Sequence, residues 1–289
     1  MRWRRTLAHH FWAFASCCSS MAFAQESSEQ LAKELANPIA SLISVPFQSN
    51  YDCCFGPLKG GEYTLNVQPV IPISINAQWN LILRTIVPVI GAQPTSPTSP
   101  QIILPDIGSD PIIVASPQTG NTWGLGDTVQ SFFLSPKAAT SSGIIWGAGP
   151  VFLYPTATSD ILGAHRWGAG PTAVALKQQG PWTYGVLANH IWSFAETSSL
   201  GPDVNSTFIQ PFIGYTTSTA FTTTINTEST YNWLSHRWII PINLLFSQVV
   251  TIAGQPISLQ AGPRYYAATT DQGARWGARF NVTFLFPAK

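Results

Sequence analysis

Charge is what this chain lacks most. Only 9% of its 289 residues are charged, against roughly 25% in ordinary soluble domains. Fourteen Lys and Arg face thirteen Asp and Glu, a formal charge of +1, so there is no basic surplus to neutralise a phosphate backbone and nucleic acid is not an expected partner. The same scarcity excludes long solvated helices and disorder by self-repulsion. Histidine (5) and cysteine (4) are few, and no metal-ligand spacing, nucleotide loop or Gly-x-Ser-x-Gly turn occurs. No catalytic residue, metal or cofactor is therefore expected. Long apolar runs are missing too: the best stretch, Trp238 to Ala253, is interrupted by Pro241, Asn243, Ser247 and Gln248. No segment has the 18 or so apolar residues that a membrane-spanning helix needs.

What remains is a chain rich in Trp (11), Phe (16), Pro (23) and Gly (22), a mixture suited to strands and turns. Residues 1–24 have a secretory signal pattern: Arg2, Arg4 and Arg5, an apolar stretch near Phe11 to Ala15, then Ala22-Phe23-Ala24 as an A-x-A cleavage site. Losing these three arginines leaves a slight acidic excess. Residues 25–40 form an expected periplasmic or plug segment with a short helix, since Leu31 and Leu35 lie one turn apart and Pro38 ends the pattern. Cys53 and Cys54 are adjacent, and an unbridged or intermolecularly capped pair in a loop is expected rather than a strained ring.

From residue 41 to 289 the recurring period is two, as in half-buried strands. Phe280, Val282, Phe284 and Phe286 alternate with Arg279, Asn281, Thr283 and Leu285. Similar alternation sets Tyr63, Leu65, Val67 against Thr64, Asn66, Gln68, and Trp238, Ile240, Ile242, Leu244 against Arg237, Ile239, Pro241, Asn243. Twelve strands are predicted, at 41–51, 62–73, 79–90, 125–135, 143–154, 169–178, 182–194, 205–217, 220–228, 236–247, 257–268 and 276–286. Each has about the length a tilted strand needs to cross the hydrocarbon, and short and long connections broadly alternate. The expected fold is an all-β transmembrane antiparallel barrel in the outer membrane of a Gram-negative cell. Its final strand, ending on Phe286 near the terminus, resembles an assembly signal for the barrel-assembly machinery.

Aromatic and acidic residues fit this layout. Trp79, Trp182 and Trp276 open strands, Trp192 closes one, and Tyr51, Tyr63, Tyr154 and Tyr215 fall near ends, where amphipathic rings meet the membrane interface. Asp52, Asp106, Asp110, Asp160, Glu196, Asp203 and Asp271 are all assigned to outer loops. The run Gln93 to Pro100 and its surroundings, about 91–124, read as a long Pro-rich outer loop in extended form, folding over the mouth or dipping into the lumen. Pro46, Pro69, Pro72, Pro88, Pro150, Pro211, Pro241 and Pro263 do not fit, because each removes a ladder donor in a barrel that has no edge strands.

Several segments carry a family resemblance. They are Leu31 through Gln48 (LAKELANPIASLISVPFQ), Leu65 through Pro72 (LNVQPVIP), Trp79-Asn80-Leu81-Ile82, Gly124 through Asp127, Leu187 through Ser193, Asn226 through Tyr231, and Val282 through Pro287. Together they span nearly the whole chain after the leader. They resemble a bacterial outer-membrane family named after the meta-pathway of phenol degradation and often auto-labelled transporter or neuromedin U. The resemblance implies an outer-membrane barrel and, through the family name, passage of aromatic solutes. The Cys53-Cys54 pair and the long Pro-rich insertion depart from that pattern.

With the aromatic faces turned to lipid, Arg84, Glu228, Arg237, Arg264 and Arg279 are expected inside, together with Asn66, Gln68, Asn243, Gln260 and Asn281. Ionisable groups in a membrane span must meet water or each other. Glu228 and Arg237 flank one hairpin and are expected to pair across it. Four arginines against one glutamate would make a positive lumen favouring anions. A channel or transporter for small anionic or aromatic solutes, set in outer-membrane lipids, is therefore the leading expectation, and twelve strands predict a narrow or gated path. The alternatives are a phospholipase-like enzyme on the outer wall, a barrel without transport and a soluble sandwich. Against the enzyme, Asn189 and His190 are adjacent and must point to opposite faces of a strand.

Overall fold

The computed structural model describes residues 27–92, 100–105, 111–117, 122–198 and 201–287. The leader Met1 to Ala24 and the first seven residues of the Gln93 to Pro100 run lie outside them. A helix α1 (Ser28–Leu35) precedes β1 (Ile43–Phe55), β2 (Gly60–Val67), β3 (Val70–Ser74) and β4 (Trp79–Ala92). Next come β5 (Pro100–Pro105), β6 (Pro111–Pro117), β7 (Thr122–Leu125), β8 (Thr128–Pro136), β9 (Ile144–Tyr154), β10 (Arg166–Gln179) and β11 (Trp182–Glu196). The chain ends through β12 (Asn205–Thr216), β13 (Phe221–Thr227), β14 (Ser229–Asn232), β15 (Arg237–Ile252), β16 (Gln255–Ala268) and β17 (Trp276–Phe286).

Neighbouring barrel strands all pair antiparallel, and β1 pairs with β17 from Ile43 opposite Phe286 to Cys53 opposite Trp276, which closes the cylinder. β2 with β3, β7 with β8, and β13 with β14 are each one stave with a short break, so the closed barrel has twelve staves. The prolines explain the breaks. Gln68 N–H donates to Pro46 O, Gly126 N–H to Pro88 O and Glu228 N–H to Pro241 O. In a regular antiparallel pair the opposite residue would return the bond, but proline has no N–H to give. The other stave loses one of its two anchors and bends there.

Both ends of the barrel wall lie at one mouth, which also carries the short turns. One of these, Ala253-Gly254 between β15 and β16, has φ of 50° and 81°, the left-handed pair of a two-residue hairpin turn. The opposite mouth carries the longer connections. Within the Pro-rich insertion, β5 and β6 form a two-stranded hairpin paired only with itself, instead of the extended loop expected.

The alternation seen in the sequence becomes two walls. Outward rings gather in two belts: Trp79 with Trp146 and Trp182 with Tyr215 near the mouth holding the termini, Tyr51 with Trp276 and Tyr154 with Trp167 near the other. Such girdles mark both interfaces of outer-membrane barrels. The inner wall is layered. An apolar layer near the first mouth joins Ile82, Phe133, Val174, Leu176, Leu187 and Phe208. A second, toward the far mouth, includes Phe55, Ile86, Val151, Ile191, Ile239 and Tyr266, drawn from around the circumference. Between them lies a polar belt.

Cys53 and Cys54 are joined by a disulfide, Cys54 having φ of 78°, which corrects the expectation of an unbridged pair. The pair lies in the last three residues of β1 rather than in a loop, at the register shift between Cys53 and Phe55. That irregularity lets the backbone adopt the conformation a ring of adjacent residues needs.

Candidate functional site

The polar belt is organised by Glu228, which sits at the β13/β14 break. Its carboxylate takes a bidentate pair from Arg279, Nη1 to Oε1 at 2.7 Å and Nη2 to Oε2 at 2.6 Å. Arg264 Nη1 lies 3.8 Å from Oε2. Asn50 Oδ1 accepts from Arg279 Nε at 2.7 Å and from Arg264 Nη1 at 3.1 Å, and Arg264 Nε lies 3.4 Å from Asp52 Oδ1. The Arg264 guanidinium also rests 5.5 Å from the Tyr266 ring centroid. All of these groups are buried. Planar guanidinium forks fit carboxylates in this way, and burial of so many charges is tolerable only because each is paired.

This belt corrects two expectations. Asp52 is not in an outer loop; it continues the inward parity of Gln48 and Asn50 on β1 and is buried, as is Glu62 on β2. On the described wall Asp52, Glu62 and Glu228 therefore match Arg84, Arg264 and Arg279, and the lumen is not strongly positive. Arg237 does not pair with Glu228. It opens β15 at the far rim, half-exposed, 3.5 Å from Asp271, because the β14–β15 hairpin carries it beyond the wall. Sequence reasoning missed Asn50, Asp52, Glu62 and Tyr266, although the period of two already placed the first three on the face that points inward.

The remaining predicted residues divide between two places. Asn243 is fully buried and donates from Nδ2 to Asn226 Oδ1 at 2.7 Å, and Asn66 on β2 is also buried. Gln68, Arg84, Gln260 and Asn281 line a partly enclosed cavity of about 210 Å³ between the inner wall and the N-terminal segment.

That segment lies inside the first mouth. Ser27 caps α1 by accepting from Gln30 N–H at 3.1 Å, and Glu29 pairs with Lys33 at 2.7 Å on the outer helical face. Leu31, Ala32, Ala40 and Leu42 pack against Ala220, Val249 and Leu285, and Ile39 enters the first apolar layer. Gln178 Nε2 donates to Lys33 O at 2.7 Å and Asn80 Nδ2 to Ser41 Oγ at 3.0 Å, fastening the backbone to the wall. At the far mouth Asp127, at the β7/β8 break, accepts from Ala157 N–H at 3.1 Å and Ala164 N–H at 2.6 Å. This holds the 155–165 loop inward with Leu162 buried on Ile90 and Ala92.

On the lipid-facing wall His190 packs against Trp192 with the rings tilted, centroids 4.0 Å apart, and its Nδ1 lies 2.7 Å from Thr207 Oγ1. Trp233 Nε1 donates to the same oxygen at 2.8 Å. Asn189 is buried on the opposite, inner face. Among the described residues no group of three or more His, Cys, Asp or Glu side chains is placed to hold a metal ion.

No family model matches the chain, and no curated protein is similar to it in sequence. Among solved structures it resembles outer-membrane phospholipase A from Escherichia coli (11% identity over 91% of this chain and 99% of that one, TM-score 0.42) and the NanC porin (9% identity, 84% and 100%, TM-score 0.40). It is more similar to an outer membrane channel from Pseudomonas putida F1, at 13% identity over 85% of this chain and 96% of that one with a TM-score of 0.61, and it shares that protein's fold.

Proposed function

We propose that the protein is an outer-membrane channel for small solutes, held shut at rest by its own N-terminal segment and by the apolar layer toward the far mouth. The observation that carries this reading is the wall itself: rings face lipid while a belt of Arg, Glu, Gln and Asn lies inside, between two closures made of side chains and short segments. A barrel serving only as structure would be better filled by apolar residues, since buried ion pairs seldom add net stability. The balanced belt lowers the expectation of strong anion selectivity. The aromatic class of solute rests on the family resemblance, and the residues proposed to line the path are Arg84, Glu228, Arg264, Arg279, Asn66, Gln68, Asn243, Gln260 and Asn281. The outer membrane is the proposed location, reached by means of the cleavable leader and the assembly machinery.

Planar-bilayer recording tests this. Conductance is expected to be low for the unaltered chain and to rise with Ile39→Ala and Leu42→Ala in the plug, with Leu162→Ser at the far mouth, and most with all three. A folded barrel that never conducts in any of these forms, nor lets sugars swell liposomes, would refute the channel.

The pair His190 and Thr207 on the lipid-facing wall favours a second reading, a lipid-modifying enzyme with Thr207 as nucleophile. Trp233 donates to Thr207 Oγ1, which occupies a lone pair of that oxygen and ties both side chains into the aromatic belt, and among the described residues His190 Nε2 has no hydrogen-bond partner to orient the ring. We therefore take these residues as an interface anchor. Phospholipid hydrolysis by the refolded protein that disappears in His190→Ala would reverse that choice.

A further inference from the structure

The cavity beside the N-terminal segment has a chemistry of its own. Of the three arginines matched to carboxylates around the wall, Arg264 and Arg279 are held by direct contacts to Asn50, Asp52 and Glu228. Arg84 is different. Its guanidinium has five N–H groups, yet among the described residues it donates one hydrogen bond, from Nη2 to Gln68 Oε1 at 3.1 Å, and makes no ion pair. Glu228 acts on it only through space. On the same cavity Gln68 Nε2 and Gln48 Nε2 are buried donors with no partner among the described residues, and Asn281 Oδ1 is a buried acceptor with none among them. All four residues line the cavity, on adjacent staves. Buried polar groups are normally satisfied, so two amide donors beside this cation are placed to take an acceptor from a ligand.

Polar side chains such as Glu34, Ser258 and Gln260 share the rest of the lining with an apolar set. Leu35, Pro38, Ala40 and Leu42 come from the N-terminal segment, and Val70 and Leu187 from the wall. The volume, about 210 Å³, exceeds the roughly 150 Å³ that admits benzene. A cation and apolar side chains on the lining of that volume fit a small amphipathic anion. A single cation beside two amide donors suits the two oxygens of a carboxylate better than the higher charge of a phosphate. Glu34 of α1 also lines the cavity and works against a second anionic group on the ligand.

We propose that this cavity is a binding site for a small organic monocarboxylate, its carboxylate on Arg84, Gln68 and Gln48 and its apolar part against Leu35, Leu42 and Leu187. The N-terminal segment forms part of the site as well as a closure, so occupancy and plug seating are coupled: the ligand stabilises the seated state. The proposal rests on the reading of the lumen as a solute path, but its test does not.

The test is saturable binding of radiolabelled cyclohexanecarboxylate and benzoate to the full chain in nanodiscs, with the uncharged amides of the same acids as competitors. The acids are expected to compete at least tenfold better than their amides. Arg84→Met and Gln68→Leu are each expected to weaken binding tenfold or more, with Arg237→Met at the rim unchanged. Two substitutions on different staves guard against one that fails to fold. Equal competition by acids and amides, binding retained in both variants, or no saturable component would overturn the site. Binding without any conductance would leave the site standing and refute the channel. Conductance without binding would do the reverse.

Discussion

Loosening the N-terminal plug should expose the polar belt by an amount that can be calculated. Ile39 is seated among Ile82, Phe133 and Leu187, and Leu42 among Val249 and Leu285. Cutting each to alanine removes about three buried methylene equivalents, or about 2 kcal/mol per side chain at roughly 0.8 kcal/mol per group. If the displaced plug leaves both positions in water, the pair weakens seating by about 4 kcal/mol and raises the unseated population roughly a thousandfold. Ser258 is buried, lines the cavity and sits behind the plug, so a thiol there reports each opening. In the background of Ser258→Cys, with Cys53 and Cys54 tied to each other, the rate of modification by a small charged maleimide should rise by two to three orders of magnitude, about what the lost burial implies. The heat-modifiable gel mobility of the barrel should be unchanged. An unaltered labelling rate in a folded barrel would mean that the segment does not gate access, and the estimate would fail together with the picture of a seated plug.

Three further outcomes follow from the geometry. Glu228→Gln leaves Arg279 and Arg264 buried with too little negative charge, and should cost about 3 kcal/mol or more, read as a lower urea midpoint for the folded gel band. Asp127→Ala releases Ala157 and Ala164 from a carboxylate, at a cost of about 2 kcal/mol, so exchange of those two amides should quicken roughly thirtyfold while the strand amides of β9 keep their protection. Replacing Cys53 and Cys54 by serine should change stability by less than about 1 kcal/mol, because a bridge between neighbours restrains almost no unfolded chain; a loss of several kcal/mol in the urea midpoint would show that the ring shapes the end of β1.

The staves were legible because a barrel wall separates lipid from lumen at every second residue, and the chain obeys that rule even where its hydropathy is weak. Phe280 to Phe286 and their polar alternates read the same in sequence and structure. Asp52 was misassigned because its acidity was weighed above its parity: a buried carboxylate is costly alone and acceptable beside Arg264, and that neighbour is 212 positions away. The prolines were unreadable for a related reason. Pro46, Pro88 and Pro241 break the stave next to their own, so the irregular residues Gln68, Gly126 and Glu228 are adjacent to them in space and distant in sequence. Arg84 and Gln68 could be named as inward, but the sequence gives no hint that they have unused donors over a cavity, since this depends on where α1 comes to rest.

The short connection from α1 to the first stave has a kinetic corollary. Ala36 to Leu42, fully stretched, covers at most about 25 Å, so a helix that lets go of the barrel cannot diffuse away. Rebinding is then a first-order event at a high effective concentration, indifferent to how much protein the membrane holds. Currents through such a pore would come as brief bursts whose closed times do not change with dilution, as expected of a stopper on a short leash.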